Sequence, residues 1–449
     1  MKLINRVRMR RAFNSGNWKK SRFYANKLLP FPNESDFAKS VIVRSHWNEG
    51  DLEKVGELLT VWKDGELDPI REKYEIKAAL SSESDDLSKP NAYKEWNSEN
   101  LSSNFVQEGG LLWLKTPKMW VYWEMPSDFD LDKTNNALLE LAAELLLSPW
   151  ESSTKMPFTT KRDFGRNYSL SYSAGTDSTA AMLLMPQNTI LGYHQRDYHS
   201  MIDHRNALKL IDHINKERDV VIIKSNHELI RSNYGKSNGF STDYAAGVHL
   251  VLLADYLDLK GIAFGLVIEN GWLKKGAKYR NFAETRHWKY WSKRFNDAGL
   301  HLVLPVNMIS EAGCMKICHS NDIGQYLNSC MRGNGETGCG KCWKCFHKNG
   351  PIGREIDCSS HEISIYLQKR PLRTAMHALW AIKIMNIEHL VPDLKTQLEQ
   401  DFSWWEDYYS PGLELLPIDL REFIEGNLKL NLEIMRDRSK LTNINLFPE

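Results

Sequence analysis

The run Ser173-Ala174-Gly175-Thr176-Asp177-Ser178-Thr179 holds the residues best suited to chemistry on a phosphorylated ligand. It follows a β-like segment at residues 168–172 and leads into a helix-like one at 180–184. A strand, a turn of small residues and a helix start together make an anion cradle. The backbone can approach a ligand closely at Gly175, and the N–H groups of the first helical turn point at bound phosphate. Ser173, Thr176, Ser178 and Thr179 add hydroxyl donors, and Asp177 could hold a metal ion or cap the helix. The Gly-x-x-x-x-Gly-Lys frame of a Walker loop is absent. An ordinary strand–helix turn has the same outline, so the loop alone leaves that reading open.

Four thiols, Cys330, Cys339, Cys342 and Cys345, fall within sixteen residues, among Gly333, Gly335, Gly338 and Gly340 that let the backbone wrap a centre. Four thiolates suit tetrahedral zinc, and a closed four-cysteine shell is structural rather than catalytic. An iron–sulfur cluster competes, but Cys358 lies too far along for a ferredoxin-type run. A disulfide set fits less well without a secretory signal. Cys314, Cys318 and Cys358 read as buried or idle thiols rather than ligands.

These groups need a scaffold. Apolar runs at 168–172, 189–193, 219–224, 261–267 and 301–305 alternate with helical stretches at 205–214 and 245–257, which predicts a parallel sheet wrapped by helices. Ligands of such sheets bind at the carboxyl ends of the strands. The 173–179 loop, residues 193–196, Ser225-Asn226 and Glu269-Asn270 all fall on that edge.

The loop resembles the Ser-Gly-Gly-x-Asp-Ser loop of the PP-loop ATP pyrophosphatases, with Ala174 in place of the first glycine. Followed by the Cys-x8-Cys-x2-Cys-x2-Cys spacing, it is similar to the 7-cyano-7-deazaguanine synthase family. Tyr193-His194-Gln195-Arg196 looks like that family's Tyr-Gly-Gln-Arg, Leu304-Pro305-Val306 like its Pro-Leu step, and Ser329-Cys330 like its entry to the zinc knuckle. Tyr279-Arg280-Asn281-Phe282 is a loose counterpart of its substrate loop. The likeness covers about residues 165–350. Three departures stand out: no Arg-Asn pair near Ser241-Thr242-Asp243, Glu311 where the family has lysine (Lys316 lies beyond it), and no Asp-Cys before Arg280.

The resemblance implies an α/β fold: a Rossmann-like (HUP/PP-loop) parallel sheet core with a four-cysteine zinc knuckle. It implies ATP, Mg²⁺ and Zn²⁺ as cofactors, with ATP held by Ser173, Ala174, Gly175, Thr176, Asp177, Ser178 and Thr179. It further implies Asp177, Arg196 and Arg280 in catalysis, and Tyr193, Gln195, Arg196 and Arg280 on a deazaguanine substrate. The expected reaction is adenylation of 7-carboxy-7-deazaguanine and transfer to an amine. That amine is ammonia, giving amide and then nitrile, or a protein amine, because long members of this type occur in bacterial anti-phage defence operons. A tRNA- or DNA-modifying PP-loop enzyme is the second reading, and a degenerate nucleotide-binding scaffold the third.

With 449 residues and 42% apolar content, the chain can bury a large core and exceeds one domain. Lys plus Arg (58) nearly balances Asp plus Glu (57), which argues against a bulk polyanion binder. Apolar runs are too short for a membrane helix, and cysteine usage suits a reducing cytoplasm. The first 22 residues are basic without acid: one solvated helix face, with a transit peptide or phosphate-contacting arm as alternatives. Asn14-Ser15-Gly16-Asn17 recurs as Asn48-Glu49-Gly50-Asp51, an offset of 34 residues like that of tetratricopeptide helix pairs. The expected divisions are a helical interaction module at 1–65, closed by Pro30 and Pro32 in its first unit, and an α+β adaptor at 66–160. The latter comprises a linker near 81–86, an aromatic hairpin at 111–123 and an amphipathic helix at 131–147. The ATPase domain spans 161–350 and a helical region 351–449, whose Trp404-Trp405 and Tyr408-Tyr409 could form a docking groove. A protein partner on the flanks is expected, and a homodimer is open.

Overall fold

The structure is a computed structural model, and it describes residues 2–64, 67, 70–71, 74, 89–92, 94–196, 205–236, 239–330 and 337–447. The expected acidic linker near 81–86 lies outside the described residues. Among the described residues the strands follow in chain order as β1 (Phe105–Glu108), β2 (Leu111–Lys115), β3 (Trp120–Glu124), β4 (Asn167–Tyr172), β5 (Ile190–Arg196) and β6 (Val220–Ser225). They continue as β7 (Leu259–Ala263), β8 (Leu273–Lys274), β9 (Lys278–Tyr279) and β10 (His301–Val303). Eight form one sheet in the order β1-β2-β3-β6-β5-β4-β7-β10, while β8 and β9 make a separate ribbon.

The five strands expected from the apolar runs are the parallel part, β6-β5-β4-β7-β10, each within a few residues of its expected bounds. From β4 the chain moves outward through β5 to β6, then returns to the other side of β4 for β7 and β10. Strand order therefore reverses between β4 and β7, and the crevice of such a sheet opens at their carboxyl ends. The 173–179 loop leaves β4 at that point.

The aromatic hairpin forms as expected, Leu112 opposite Trp123 and Leu114 opposite Val121. It is no separate adaptor, however: β3 bridges to β6 through Trp123 and Ser225, so the three antiparallel strands extend the parallel sheet. The helix that follows is Asn136–Leu147, opened by the Asn135 side chain, which accepts from the Ala137 N–H. Every residue from Ala137 to Leu147 is buried, so it is an interior helix rather than the amphipathic one expected. It packs against the Val248–Leu252 and Arg286–Asp297 helices. Each buried leucine contributes roughly 2 kcal/mol. Glu144 is tolerated there because Arg294 donates to it at 2.7 Å and the Tyr290 hydroxyl also reaches it. Burial pushes its carboxyl up against both partners.

The internal repeat corresponds to two like turns. Gly16 (φ 70) and Gly50 (φ 85) end their helices in the left-handed region, and the Asn17 and Asp51 side chains cap the next ones by accepting from the Lys20 and Lys54 N–H groups. The helices so arranged are Lys2–Asn14, Trp18–Asn26, Pro32–Glu49 and Leu52–Val61, with Pro32 opening the third instead of closing the first unit. A Cβ on Gly235 would meet the Ser15 backbone at 2.4 Å, so the first turn docks directly on the Tyr234–Gly235 turn of the core.

At the other end, the Ile418–Asn431 helix lies on the Thr176–Leu184 helix through Leu420, Ile424 and Leu428, and Asn427 donates to the Leu184 carbonyl at 3.2 Å. The expected helical region thus covers the core. Its aromatic cluster does not form a groove: Trp404, Trp405, Tyr408 and Tyr409 are all buried, with Tyr409 edge-on to Trp272 at 5.0 Å. Apolar area of that size is worth more inside than displayed.

Candidate functional site

The loop's own hydroxyls shape it. Ser178 Oγ accepts from the Ser173 N–H at 3.2 Å, lies 3.0 Å from Ser173 Oγ and donates to the Gly175 carbonyl at 3.1 Å. Ala174 adopts φ 54, a left-handed conformation that a glycine would take without strain. Gly175 is the N-cap of the Thr176–Leu184 helix, so Asp177 is a first-turn residue and not the cap. From the segment just after β7, Gly265 presses against the same turn: a Cβ there would stand 3.0 Å from the Ser178 nitrogen and 3.1 Å from the Asp177 carbonyl carbon.

Two contacts from far along the chain hold the loop. Ser329 Oγ accepts from the Thr176 N–H at 3.1 Å and lies 2.8 Å from Thr176 Oγ1. Lys348 Nζ donates to Asp177 Oδ1 at 2.7 Å and lies 2.8 Å from Glu311 Oε2. Burial alone would lower the Lys348 pKa, but Asp177 and Glu311 outweigh it and hold the group raised, as an ammonium. Burial pushes the Asp177 carboxyl up against the pull of Lys348. Its side chain is 30% exposed, with Lys348 donating to it at 2.7 Å. Lys344 stands within electrostatic reach of Asp177, Arg196 and Lys348, and burial lowers its pKa.

Both anchors adjoin the thiol cluster. Ser329 precedes Cys330, and Lys348 follows Cys345 by three residues in a π-helical turn, Cys345–Asn349. The Sγ separations are 3.9 Å for Cys330–Cys342, 3.9 Å for Cys339–Cys345 and 3.6 Å for Cys342–Cys345. Tetrahedral bonds of about 2.3 Å to zinc put sulfurs roughly 3.8 Å apart. The four thiols therefore could hold a metal ion of this kind. Backbone N–H groups of Cys339, Lys341 and Cys345 point at thiol sulfurs, and the Asn349 amide donates to Cys345 Sγ at 3.3 Å, as charged thiolates require. Cys314 and Cys318 are buried outside this set, with burial raising both thiols.

The other expected site residues are more scattered. Arg196 sits at the carboxyl end of β5, its Nε 2.8 Å from buried Glu228 and its guanidinium 6.0 Å from the Phe240 ring. Gln195 is half-buried beside it, whereas Tyr193 lies in the core at 1% exposure. Arg280 is spent on backbone, donating to the carbonyls of Gly271 and Asn270 near Asp243 and Tyr244. Lys316, beyond Glu311, pairs with Glu406 at 3.3 Å. Sequence reasoning missed Lys348 and Ser329 as partners of the loop. The only available signal was that each abuts the cysteine run.

Three imidazoles, His194, His227 and His249, cluster under the same edge, with His194 and His227 ring centroids 4.0 Å apart. Burial, then the neighbouring His and Arg196 charges, hold His194 and His227 well below the usual range. Burial takes His249 to about 4, partly offset by a Gly192 backbone contact. Above pH 6.5 His249 is neutral both folded and unfolded. Below it the unfolded chain binds a proton that the folded chain refuses until about pH 4. Stability should therefore fall over that window by about 3 kcal/mol from His249 alone, at about 1.4 kcal/mol per pH unit. Urea midpoints measured from pH 7 to 4 should show this, and His249→Met should flatten the slope. An unchanged slope in the variant would mean that other groups carry it.

Residues 290–442 match a family described as a family of unknown function (DUF6395). The match takes in Glu311, the four thiols and Lys348, and excludes the 173–179 loop. No curated protein and no solved structure matches the chain.

Proposed function

We propose that this chain is a PP-loop ATP pyrophosphatase of the Rossmann-like (HUP) class that adenylates a carboxylate and passes the acyl group to an amine. What carries the reading is the position of the 173–179 loop: a helix start at the point of strand reversal, lined by hydroxyls and clamped by Ser329 and Lys348. Such a cradle suits the β and γ phosphates of ATP, and Gly265 lets the backbone after β7 pack directly on the first turn of its helix. Asp177 would share a Mg²⁺ ion with the phosphates, which would offset their charge.

A carboxylate is a poor acyl donor until activated. Its oxygen attacks the α phosphorus, pyrophosphate leaves, and an acyl-adenylate forms. The amine nitrogen then attacks the acyl carbon and AMP departs with the carboxylate's former oxygen. No protein nucleophile is needed, so positioning and charge carry the catalysis. Lys344, Lys348 and Arg196, which lie within electrostatic reach of one another near Asp177, would supply the positive charge that the departing phosphates need. By resemblance the carboxylate is that of 7-carboxy-7-deazaguanine, and the amine is ammonia or a protein amine in an anti-phage system. With ammonia the product is an amide, which a second ATP could dehydrate to the nitrile. Arg280 is weaker support, since its guanidinium already serves two carbonyls.

The alternative of a tRNA- or DNA-modifying enzyme rests on the basic N-terminus, where Arg6 and Arg22 pair with Glu34 at 3.0 Å and Glu49 at 2.5 Å while Arg8, Arg10, Arg11, Lys19 and Lys20 are exposed. Salt-sensitive RNA or DNA binding would test it. Among the described residues no helix is long and apolar enough to cross a membrane. The test is pyrophosphate release from ATP with 7-carboxy-7-deazaguanine and no amine. A substrate-dependent burst, lost in folded Asp177→Ala, is expected. No burst from metal-loaded wild type would refute this substrate assignment, and an equal burst in Asp177→Ala would refute the site.

A further inference from the structure

Behind Lys348 lies a second group of donors that the proposed reaction does not use. Glu311 Oε2 is 3.7 Å from His347 Nδ1 and 3.7 Å from His377 Nε2. These atoms all fall within 4.8 Å of one another, and both imidazoles are fully buried.

The hydrogen bonds around His347 decide its tautomer. The Tyr366 hydroxyl gives its single proton to the Arg373 carbonyl at 2.6 Å. It must therefore accept from His347 Nε2, which is also 2.6 Å away. With Nε2 held by Tyr366, the other ring nitrogen, Nδ1, faces the Glu311 carboxylate. That nitrogen is buried without a hydrogen-bond partner. This nitrogen and the carboxylate oxygen stand 3.7 Å apart, too far for a hydrogen bond, and leave a gap that an ion bonded to both would fill while the oxygen keeps Lys348 at 2.8 Å on its other side. Holding the non-ligating ring nitrogen by a hydrogen bond is also how proteins orient a metal-binding histidine.

We propose that Glu311, His347 and His377 form a second metal site, distinct from the four-thiol cluster, for a divalent ion of the zinc class. Two imidazoles and one carboxylate suit zinc, manganese or ferrous iron, whereas magnesium and calcium favour all-oxygen shells. Bonds of about 2.0–2.2 Å at tetrahedral angles separate donors by roughly 3.4 Å, so each imidazole nitrogen needs to approach the Glu311 oxygen by only a few tenths of an ångström, and the two nitrogens stand within 4.8 Å of each other. His377 Nε2 also stands 3.0 Å from the His347 carbonyl. The ion takes that nitrogen in place of its proton, as imidazole ligation requires. Glu311 then stands between the ion and Lys348, which holds Asp177 of the loop. This site does not depend on the identity of the substrate or on ATP turnover.

The measurement is metal content of the full chain, purified without chelator and dialysed, by mass spectrometry. Two ions per chain are expected, falling to one in His377→Gln and in Glu311→Gln, with folding checked by circular dichroism. A second measurement avoids dependence on those variants. Wild type stripped of metal and titrated with Co²⁺ should take two equivalents, only one of which produces the intense thiolate-to-cobalt band. A single equivalent, all of it thiolate-bound, would overturn the site and leave His377 as a simple donor to the His347 carbonyl. Two ions retained in both variants would overturn it as well.

Discussion

Lys348→Met is expected to lower substrate-dependent pyrophosphate release by about a hundredfold or more, the scale set by removing one charge aimed at a developing anion. Among the described residues the ammonium is the one cation bonded directly to the loop, through Asp177, and its other contact, Glu311, keeps it from swinging to solvent. Stability should fall too, by about 3 kcal/mol, because the change strands two carboxylates against an apolar side chain. The two losses can be separated. Adding Asp177→Asn to Lys348→Met removes one stranded charge and should restore part of the stability while activity stays lost. Lys348→Arg should keep the charge but fit the gap between two carboxylates poorly, giving intermediate activity. Wild-type turnover by a folded Lys348→Met protein would show that this lysine is only a structural counter-ion.

The second large effect concerns the thiols. Cys342→Ser should strip the ion from the cluster, and with it much of the roughly 10–16 kcal/mol that such an ion contributes to a small knuckle. The consequence would not stop at the knuckle. Ser329 and Lys348, the two anchors of Thr176 and Asp177, leave the first and last thiols by one and three residues. Losing the ion should therefore release the loop at two consecutive positions, and pyrophosphate release should fall with metal content. Titrating the metal out with a thiol reagent while following both quantities would check this. Full turnover in protein whose four-thiol ion is gone would mean that the knuckle only decorates the fold. Limited proteolysis of the metal-free protein should cut near residues 337–345 first, since the described apolar cluster there consists of little more than the thiols themselves.

Local spacing made much of this legible in the sequence. The five parallel strands could be read because each is a short apolar run bounded by turn residues, and β4, its loop and the following helix because strand, turn and helix signals adjoin. The four thiols could be read because metal ligands from one knuckle are close in sequence. The like turns at Gly16 and Gly50 could be read because left-handed backbone and N-caps demand particular side chains. The Asn136–Leu147 helix was misjudged for the converse reason. A helix buried on all sides hides its polar residues in pairs such as Glu144–Arg294, formed 150 residues apart, and no local pattern reports that. Whether the aromatic pairs at 404–409 line a groove or fill the core is likewise not legible locally, because composition does not say which side of the segment faces the core.

The sequence by itself determined a strand–turn–helix step rich in hydroxyls on a parallel sheet and a four-thiol group that could hold a metal ion, both written in consecutive or closely spaced residues. Only the tertiary structure decided how the two are joined. Lys348 meets Asp177 across 171 residues, and Ser329 meets Thr176 across 153. Glu311 and His377 approach His347 from separate helices. Such meetings depend on how sheet, knuckle and C-terminal helices pack as layers, which is set by the summed burial of the whole core and by no short stretch of it.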